Sequence, residues 1–310
     1  MCGVFFIVGP TATGKSELAA DVARRVGAEI VSADAFQIYR GLDVLSAKPD
    51  SATLKKVPHH LIGAISLSEE MNVEKFRRLA LDQIDQIRSR GKAAIVVGGS
   101  GLYVKALTHG LSVMPGADPD LRAQLNEMGL DDLQNKLRKL DPAAALQVDL
   151  KNRRRLVRAI EICLLGGKSL SEQRKTWAAS KTASRTESVT SGVFVFRDRD
   201  ELYQRINQRV ETMLEHGAME EVRSVGAISS TAGKIIGLRE IRELLAGKIT
   251  TSKCVAQIQQ ATRRYAKRQL TWFRRQTNFQ ALNLLLLTHH EAVERISQLV
   301  KAAGVASGND

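Results

Sequence analysis

Gly9-Pro10-Thr11-Ala12-Thr13-Gly14-Lys15-Ser16 carries the residue types that hold phosphate oxygens, spaced as GxxxxGK[ST] without departure. The glycines let the backbone curl so that successive N–H groups face one anion. Lys15 supplies a cation, and the Ser16 hydroxyl can ligate Mg²⁺. A helix starting here adds the positive end of its dipole. Asp34 is the acid best placed to serve such a site, because it closely follows a short run of strand character at 29–32. Two roles are open to it. It can be the acid that holds Mg²⁺ in an ordinary NTPase, or a base beside the phosphates. Another apolar run, 93–97, leads into Gly98-Gly99-Ser100-Gly101 rather than an acid.

These residues need elements to position them. Residues 4–8 are wholly apolar β-formers and read as a buried strand feeding the phosphate loop. Leu18, Val22 and Val26 recur at i+4 behind the loop, and Gly27 closes that helix. Residues 29–32 and 93–97 read as further strands. Asn72 caps a helix with Phe76, Leu79, Ala80, Ile84 and Ile87 on one face, ending at Gly91. This alternation predicts a parallel α/β sheet. From 118 to about 175 the pattern is helical without strands. The Ser/Thr/Ala-rich stretch 176–192 reads as a loop. A strand at 193–196, helices at 200–216 and 255–275, a last strand at 282–287 and a fraying tail at 302–310 complete the reading. The expected fold is a P-loop NTPase-like α/β core, 1–116 and 193–310, interrupted by a mostly helical insertion domain, 117–192.

The 310 residues are 44% hydrophobic, enough to build a core and outside the disordered range. No apolar run approaches the roughly 18 residues of a membrane span, and the start lacks a signal peptide's basic region. Cys2, Cys163 and Cys254 form no CxxC, which argues against a disulfide framework and for a reduced cytoplasm. His59-His60 and His289-His290 are adjacent pairs that share no face, so zinc is not expected. The formal net charge of +13 is concentrated. Residues 151–185 hold ten basic and two acidic residues, and 253–275 hold seven basic and none acidic. Two such blocks suggest a polyanionic partner. Nothing demands a second subunit, so a monomer is expected.

Asp34 opens Asp34-Ala35-Phe36-Gln37-Ile38-Tyr39-Arg40-Gly41-Leu42-Asp43, followed by Ser46-Ala47-Lys48-Pro49 and Pro58-His59-His60-Leu61. Gly98-Gly99-Ser100-Gly101-Leu102-Tyr103, Arg155-Leu156-Val157-Arg158, Arg205-Ile206-Asn207-Gln208-Arg209, Ile236-Gly237 and the run from Thr262 to Phe273 come after. With the phosphate loop, this order resembles the tRNA dimethylallyltransferase family over about residues 4–275. The resemblance implies transfer of a dimethylallyl group from dimethylallyl diphosphate to the N6 amine of the adenosine 3′ of the anticodon. Mg²⁺ and the tRNA anticodon stem-loop are then the implied cofactor and partner. Asp34 matches the family's base, assisted by Ser100 and Lys15. Residues Gly9, Pro10, Thr11, Ala12, Thr13, Gly14, Lys15 and Ser16, with Arg205, match the diphosphate site, and Arg209 stands one turn on. Ser100 replaces the usual Thr. Asp34, Ala35, Phe36 and Gln37 match a base-contacting segment, in which Phe36 either packs on the base or belongs to the core. Arg122, Arg154, Arg155, Leu156, Val157 and Arg158 match tRNA contacts, and Arg263, Arg264, Lys267 and Arg268 offer a second basic surface.

Other readings compete. An adenylate isopentenyltransferase shares the phosphate loop but needs no broad basic surface. A P-loop kinase or ATPase would bind ATP with Asp34 on the metal. A non-catalytic RNA-binding protein would need neither Asp34 nor the loop.

Overall fold

A six-stranded, all-parallel sheet of order β3-β2-β4-β1-β5-β6 forms the centre of the fold. The structure is a computed structural model and describes residues 3–112, 114–173 and 191–305. The chain runs β1 (Val4–Val8), α1 (Lys15–Val26), β2 (Glu29–Ser32), α2 (Ser51–Lys56), β3 (His59–His60), α3 (Val73–Ser89), β4 (Ala94–Gly98) and α4 (Gly101–Thr108). Helices α5 (Pro119–Glu127), α6 (Leu130–Leu140), α7 (Pro142–Ala145) and α8 (Arg153–Leu165) follow. The sheet resumes with β5 (Ser191–Phe196), then α9 (Arg199–Glu215), α10 (Ala218–Ser224), α11 (Leu238–Leu245), α12 (Thr251–Phe273), β6 (Gln280–Asn283) and α13 (His289–Ala302).

Strand alternation explains why β1 is apolar throughout. Val4, Phe6 and Val8 enter one core, with Phe76 and Ile84 of α3. Phe5 and Ile7 enter the other, with Leu18 and Val22 of α1 and Ile296 of α13. Both faces are covered, as parallel sheets require. Gly27 closes α1 in the left-handed region, and the Asn72 side chain accepts from Lys75 N to cap α3. Gly192 belongs to β5, not to a loop, because it pairs with Phe6, whose side chain leaves no room for a Cβ. The remainder of the expected loop, 176–190, lies outside the described residues, as do 306–310 of the tail. The last strand is earlier than expected. Asn283 accepts from Leu285 N through its side chain, and the chain turns into a 3₁₀ turn at Leu284–Leu286 with Leu286 exposed.

The chain divides into two compact units, 1–110 with 188–310, and 111–187. The second is helical around Leu125, Leu133, Leu137, Leu156 and Ile160. It starts before the expected residue 117 because the preceding segment is tied into it. Met114 packs on that core, and Arg158 donates to the carbonyls of Pro115 (2.6 Å) and Gly116 (3.3 Å).

Glu29 anchors the start of β2. Burial opposes its charge, but His60, Arg90 and Lys92, at 2.7, 2.7 and 3.1 Å, outweigh that and hold its pKa at about 2. A depressed carboxylate stabilises the fold above its unfolded pKa, and that contribution is lost as pH falls toward 2. Arg90 and Lys92 are half exposed, so we expect Glu29→Gln to cost only about 1–2 kcal/mol at pH 7. Thermal melts of the two proteins should converge below about pH 3. A difference as large at pH 3 as at pH 7 would rule out this ionic origin.

Candidate active site at the carboxyl ends of the strands

Residues that follow β1, β2 and β4 converge where open parallel sheets place their ligands. Gly9 is pressed against the Val195 carbonyl, which a Cβ would meet at 2.1 Å. Its N–H donates to Gly98 O, Pro10 has none, and Thr11 N–H donates to Gln269 Oε1 at 3.0 Å. The first three loop residues therefore leave no backbone N–H free for the cradle, although Thr11 still lines the cleft. Ala12 and Gly14 both adopt left-handed backbone (φ +64° and +88°). Among the described residues, no N–H from Ala12 through Ser16 is given to a protein acceptor. That leaves a nest of donors at the start of α1.

Lys15 Nζ donates to Pro10 O at 3.2 Å. Burial lowers its pKa to about 8, with Asp34 opposing the shift and Arg209 adding to it. Arg209 donates to Thr11 Oγ1 at 3.0 Å, and burial lowers it to about 10 despite Asp34. Arg205 is exposed and donates to Ala12 O (2.8 Å), while Arg197, which the sequence reading missed, donates to Thr13 O (3.0 Å). Arg197 and Arg205 thus hold the loop's backbone carbonyls, while Arg209 lines the cleft itself.

Asp34 Oδ1 accepts from Phe36 N (2.9 Å) and Gln37 N (3.2 Å). One carboxylate oxygen is consumed in orienting the group, and the other remains for chemistry. Ser100 Oγ accepts from Ala35 N at 3.0 Å, joining this turn to the loop after β4. That loop needs its glycines. A Cβ at Gly98 would meet Ala33 O at 2.3 Å, and at Gly101 the Trp272 ring at 2.5 Å. Farther along, Glu221 accepts from Val44 N and Leu45 N, and Lys48 donates to Tyr39 O. These ties hold Leu42 and Ala47 in left-handed backbone beside the cleft, strain that clusters at functional sites.

Helix α12 carries into the site two residues that in the sequence look like members of a basic run. Buried Gln269 joins two loops, accepting from Thr11 N and donating to Gly99 O at 2.9 Å. The Tyr265 hydroxyl interacts with Ser100 and Gln269, and burial followed by the Asp34 charge raises its pKa. Its ring meets half-buried Phe36 at 6.0 Å, so Phe36 is a wall of the cleft rather than deep core. The cleft holds about 330 Å³. The nest, Lys15, Asp34 and Arg209 form its polar side, and Leu45, Met213, Ile235, Ile236 and Ile258 an apolar wall.

The expected RNA contacts divide by exposure. Arg154 and Arg155 are exposed on α8, and Arg264, Lys267 and Arg268 on α12. Leu156 and Val157 are buried in the helical unit's core, so their side chains do not reach its surface. Arg122 and Arg158 both bind the fully buried Glu161, at 2.6 and 3.1 Å, and serve that unit's integrity. Arg263 is given to Asn207 Oδ1 at 2.6 Å. Basic residues 174, 175, 181 and 185 lie outside the described residues.

The model of the IPP transferase family matches residues 37–276. The chain belongs to the IPP transferase family. Relatives support the assignment along most of its length. It is 42% identical to the tRNA dimethylallyltransferase of Akkermansia muciniphila over 271 residues, covering 87% of this chain and 90% of the relative. It is 43% identical to tRNA dimethylallyltransferase 1 of Citrifermentans bemidjiense, with 87% and 88% covered. A solved tRNA isopentenylpyrophosphate transferase from Bacillus halodurans superposes with a TM-score of 0.71 at 33% identity, covering 98% and 97% of the two chains. This IPP transferase has, among its described residues, no helix long and apolar enough to cross a membrane.

Proposed function

We propose that this chain transfers the dimethylallyl group of dimethylallyl diphosphate to N6 of the adenosine 3′ of a tRNA anticodon, releasing diphosphate. The observation that carries this reading is the cleft itself, where an anion nest and an acid share a cavity with an apolar wall. That combination suits a short prenyl chain on a diphosphate. An adenine amine is a weak nucleophile because its lone pair is delocalised into the ring. As its nitrogen bonds to the allylic carbon, the C–O bond to diphosphate breaks and the amine proton passes to the open oxygen of Asp34. Charge then grows on the leaving diphosphate. The N–H groups of Ala12–Ser16, Lys15 and Arg209 face it in fixed positions, where stabilisation is most effective. Ser100 orients the Asp34 turn through Ala35, and Arg205 flanks the diphosphate from outside. The base leaves its stack to enter, at a cost of a few kcal/mol offset by contacts with Phe36 and Gln37.

Magnesium fits this donor set, because the Ser16 hydroxyl lies beside the nest in a polar recess shared with Asp34. Ser16 would hold it together with diphosphate oxygens, and the bound ion would neutralise part of the leaving group's charge.

Incubation with dimethylallyl diphosphate, Mg²⁺ and unmodified tRNA, followed by nucleoside analysis, tests the reading. Absence of prenylated adenosine across several tRNAs would sink it. Gln269→Leu tests the coupling of the loops. It removes one hydrogen bond to each, at about 1 kcal/mol apiece, so donor diphosphate affinity should fall about 10–30-fold. Gel-shift affinity for tRNA should stay unchanged, and a selective tRNA defect would contradict the bridge.

A further inference from the structure

The adjacent histidines of β3 point to different tasks. His60 Nε2 binds Glu29 at the start of β2 and is structural. His59 Nδ1 lies 2.8 Å from the Val57 carbonyl, which places the proton on Nδ1 and leaves Nε2 as a lone-pair acceptor. That Nε2 is buried and has no hydrogen-bond partner among the described residues. An unmet buried acceptor costs about 1–3 kcal/mol, so a native site gives it a donor.

No donor of the described residues lies within hydrogen-bond distance of His59 Nε2. Lys15 gives a hydrogen bond to Pro10 O, and the Gln37 amide to Ala47 O at 2.7 Å. The space that His59 borders is a recess of about 20 Å³, lined also by Lys15, Ser16, Ser32 and Asp34. One water needs roughly 10–15 Å³ by this measure. Mg²⁺ dehydrates reluctantly and keeps several waters when phosphates supply its other ligands. Those waters are polarised donors, and a neutral imidazole accepts from them without repelling the ion.

We propose that His59 Nε2 accepts a hydrogen bond from a water of the hydrated magnesium that accompanies the donor diphosphate, making His59 a positioning residue for the ion. The inference rests on the assignment of Ser16 as the metal's side-chain ligand. Partners of this kind, one layer out from a metal, typically change its affinity 10–100-fold.

The experiment is calorimetric titration with inorganic diphosphate, with and without Mg²⁺, which reads the site without turnover. Asn at 59 keeps a donor for Val57 O but ends short of the recess, whereas Gln carries an acceptor to the Nε2 position. In the wild type, Mg²⁺ should strengthen diphosphate binding. In His59→Asn that enhancement should fall at least about tenfold, with metal-free affinity and Tm unchanged. His59→Gln should retain most of it. A full Mg²⁺ enhancement in His59→Asn overturns the proposal, as does a loss of metal-free binding equal to the loss with metal. A wild type indifferent to Mg²⁺ overturns the metal assignment at Ser16 together with it.

Discussion

Asp34→Asn should lower kcat by about 10²–10⁴-fold while tRNA affinity stays unchanged. Asn retains an oxygen for the N–H groups of Phe36 and Gln37, so the turn between β2 and the cleft survives. What it loses is the capacity to take the amine proton. Single-turnover rates measured with saturating donor and tRNA isolate that loss from binding. The same variant decides between the two roles that the sequence left open. Were Asp34 chiefly a ligand of the metal, its loss would weaken Mg²⁺ binding, and excess Mg²⁺ would restore much of the rate. A base cannot be restored that way, so the expected deficit persists at every Mg²⁺ concentration. Asp34→Ala is the weaker test, because it also abandons both backbone N–H groups and disturbs the wall formed by Phe36.

The phosphate loop, Asp34 and Ser100 were legible because their chemistry is local. Each follows a short buried strand, and the glycines of the loops after β1 and β4 announce close backbone approach, as Gly9 on Val195 O and Gly98 on Ala33 O bear out. Parallel β1 and β4 were legible for the same reason, since burial on both faces makes them nearly continuously apolar, whereas β2 carries only Ile30 and Val31 between Glu29 and Ser32. β3 was not, because two histidines carry no strand pattern and owe their conformation to pairing with Ile30 and Val31. The partition of cations was hidden too. Arg122, Arg154, Arg155 and Arg158 look alike in sequence, and only the fold puts buried Glu161 beside the first and last. Gln269 and Tyr265 escaped notice within a run of basic residues, although one face of the helix carries them inward.

Helix α12 therefore has two jobs on two faces. Ala266, Gln269 and Phe273 are buried, while Arg264 and Lys267 are exposed. Arg268 spans both roles, because its guanidinium lies 5.7 Å from the Tyr265 ring. A variant meant to test only the surface must leave Arg268 in place. Arg263 stays too, since it holds Asn207 of α9.

Replacing Arg154, Arg155, Arg264 and Lys267 together with Gln should weaken tRNA binding and flatten its salt dependence by about three units of log–log slope. Each cation that neutralises a phosphate releases a counterion, at about 0.7–0.9 of a slope unit. All four side chains are exposed, and none of them holds Glu161 or Asn207, which bind Arg122, Arg158 and Arg263. The fold should tolerate the change, and kcat at saturating tRNA should hold. The pairwise variants carry the sharper argument. If the α8 pair and the α12 pair contact one RNA at once, each should remove about half of the slope change, and the losses in log Kd should add. If only one surface meets the RNA, one pair should carry the whole effect and the other none. An unchanged slope in the quadruple variant would return both basic blocks to ordinary solvated helix faces.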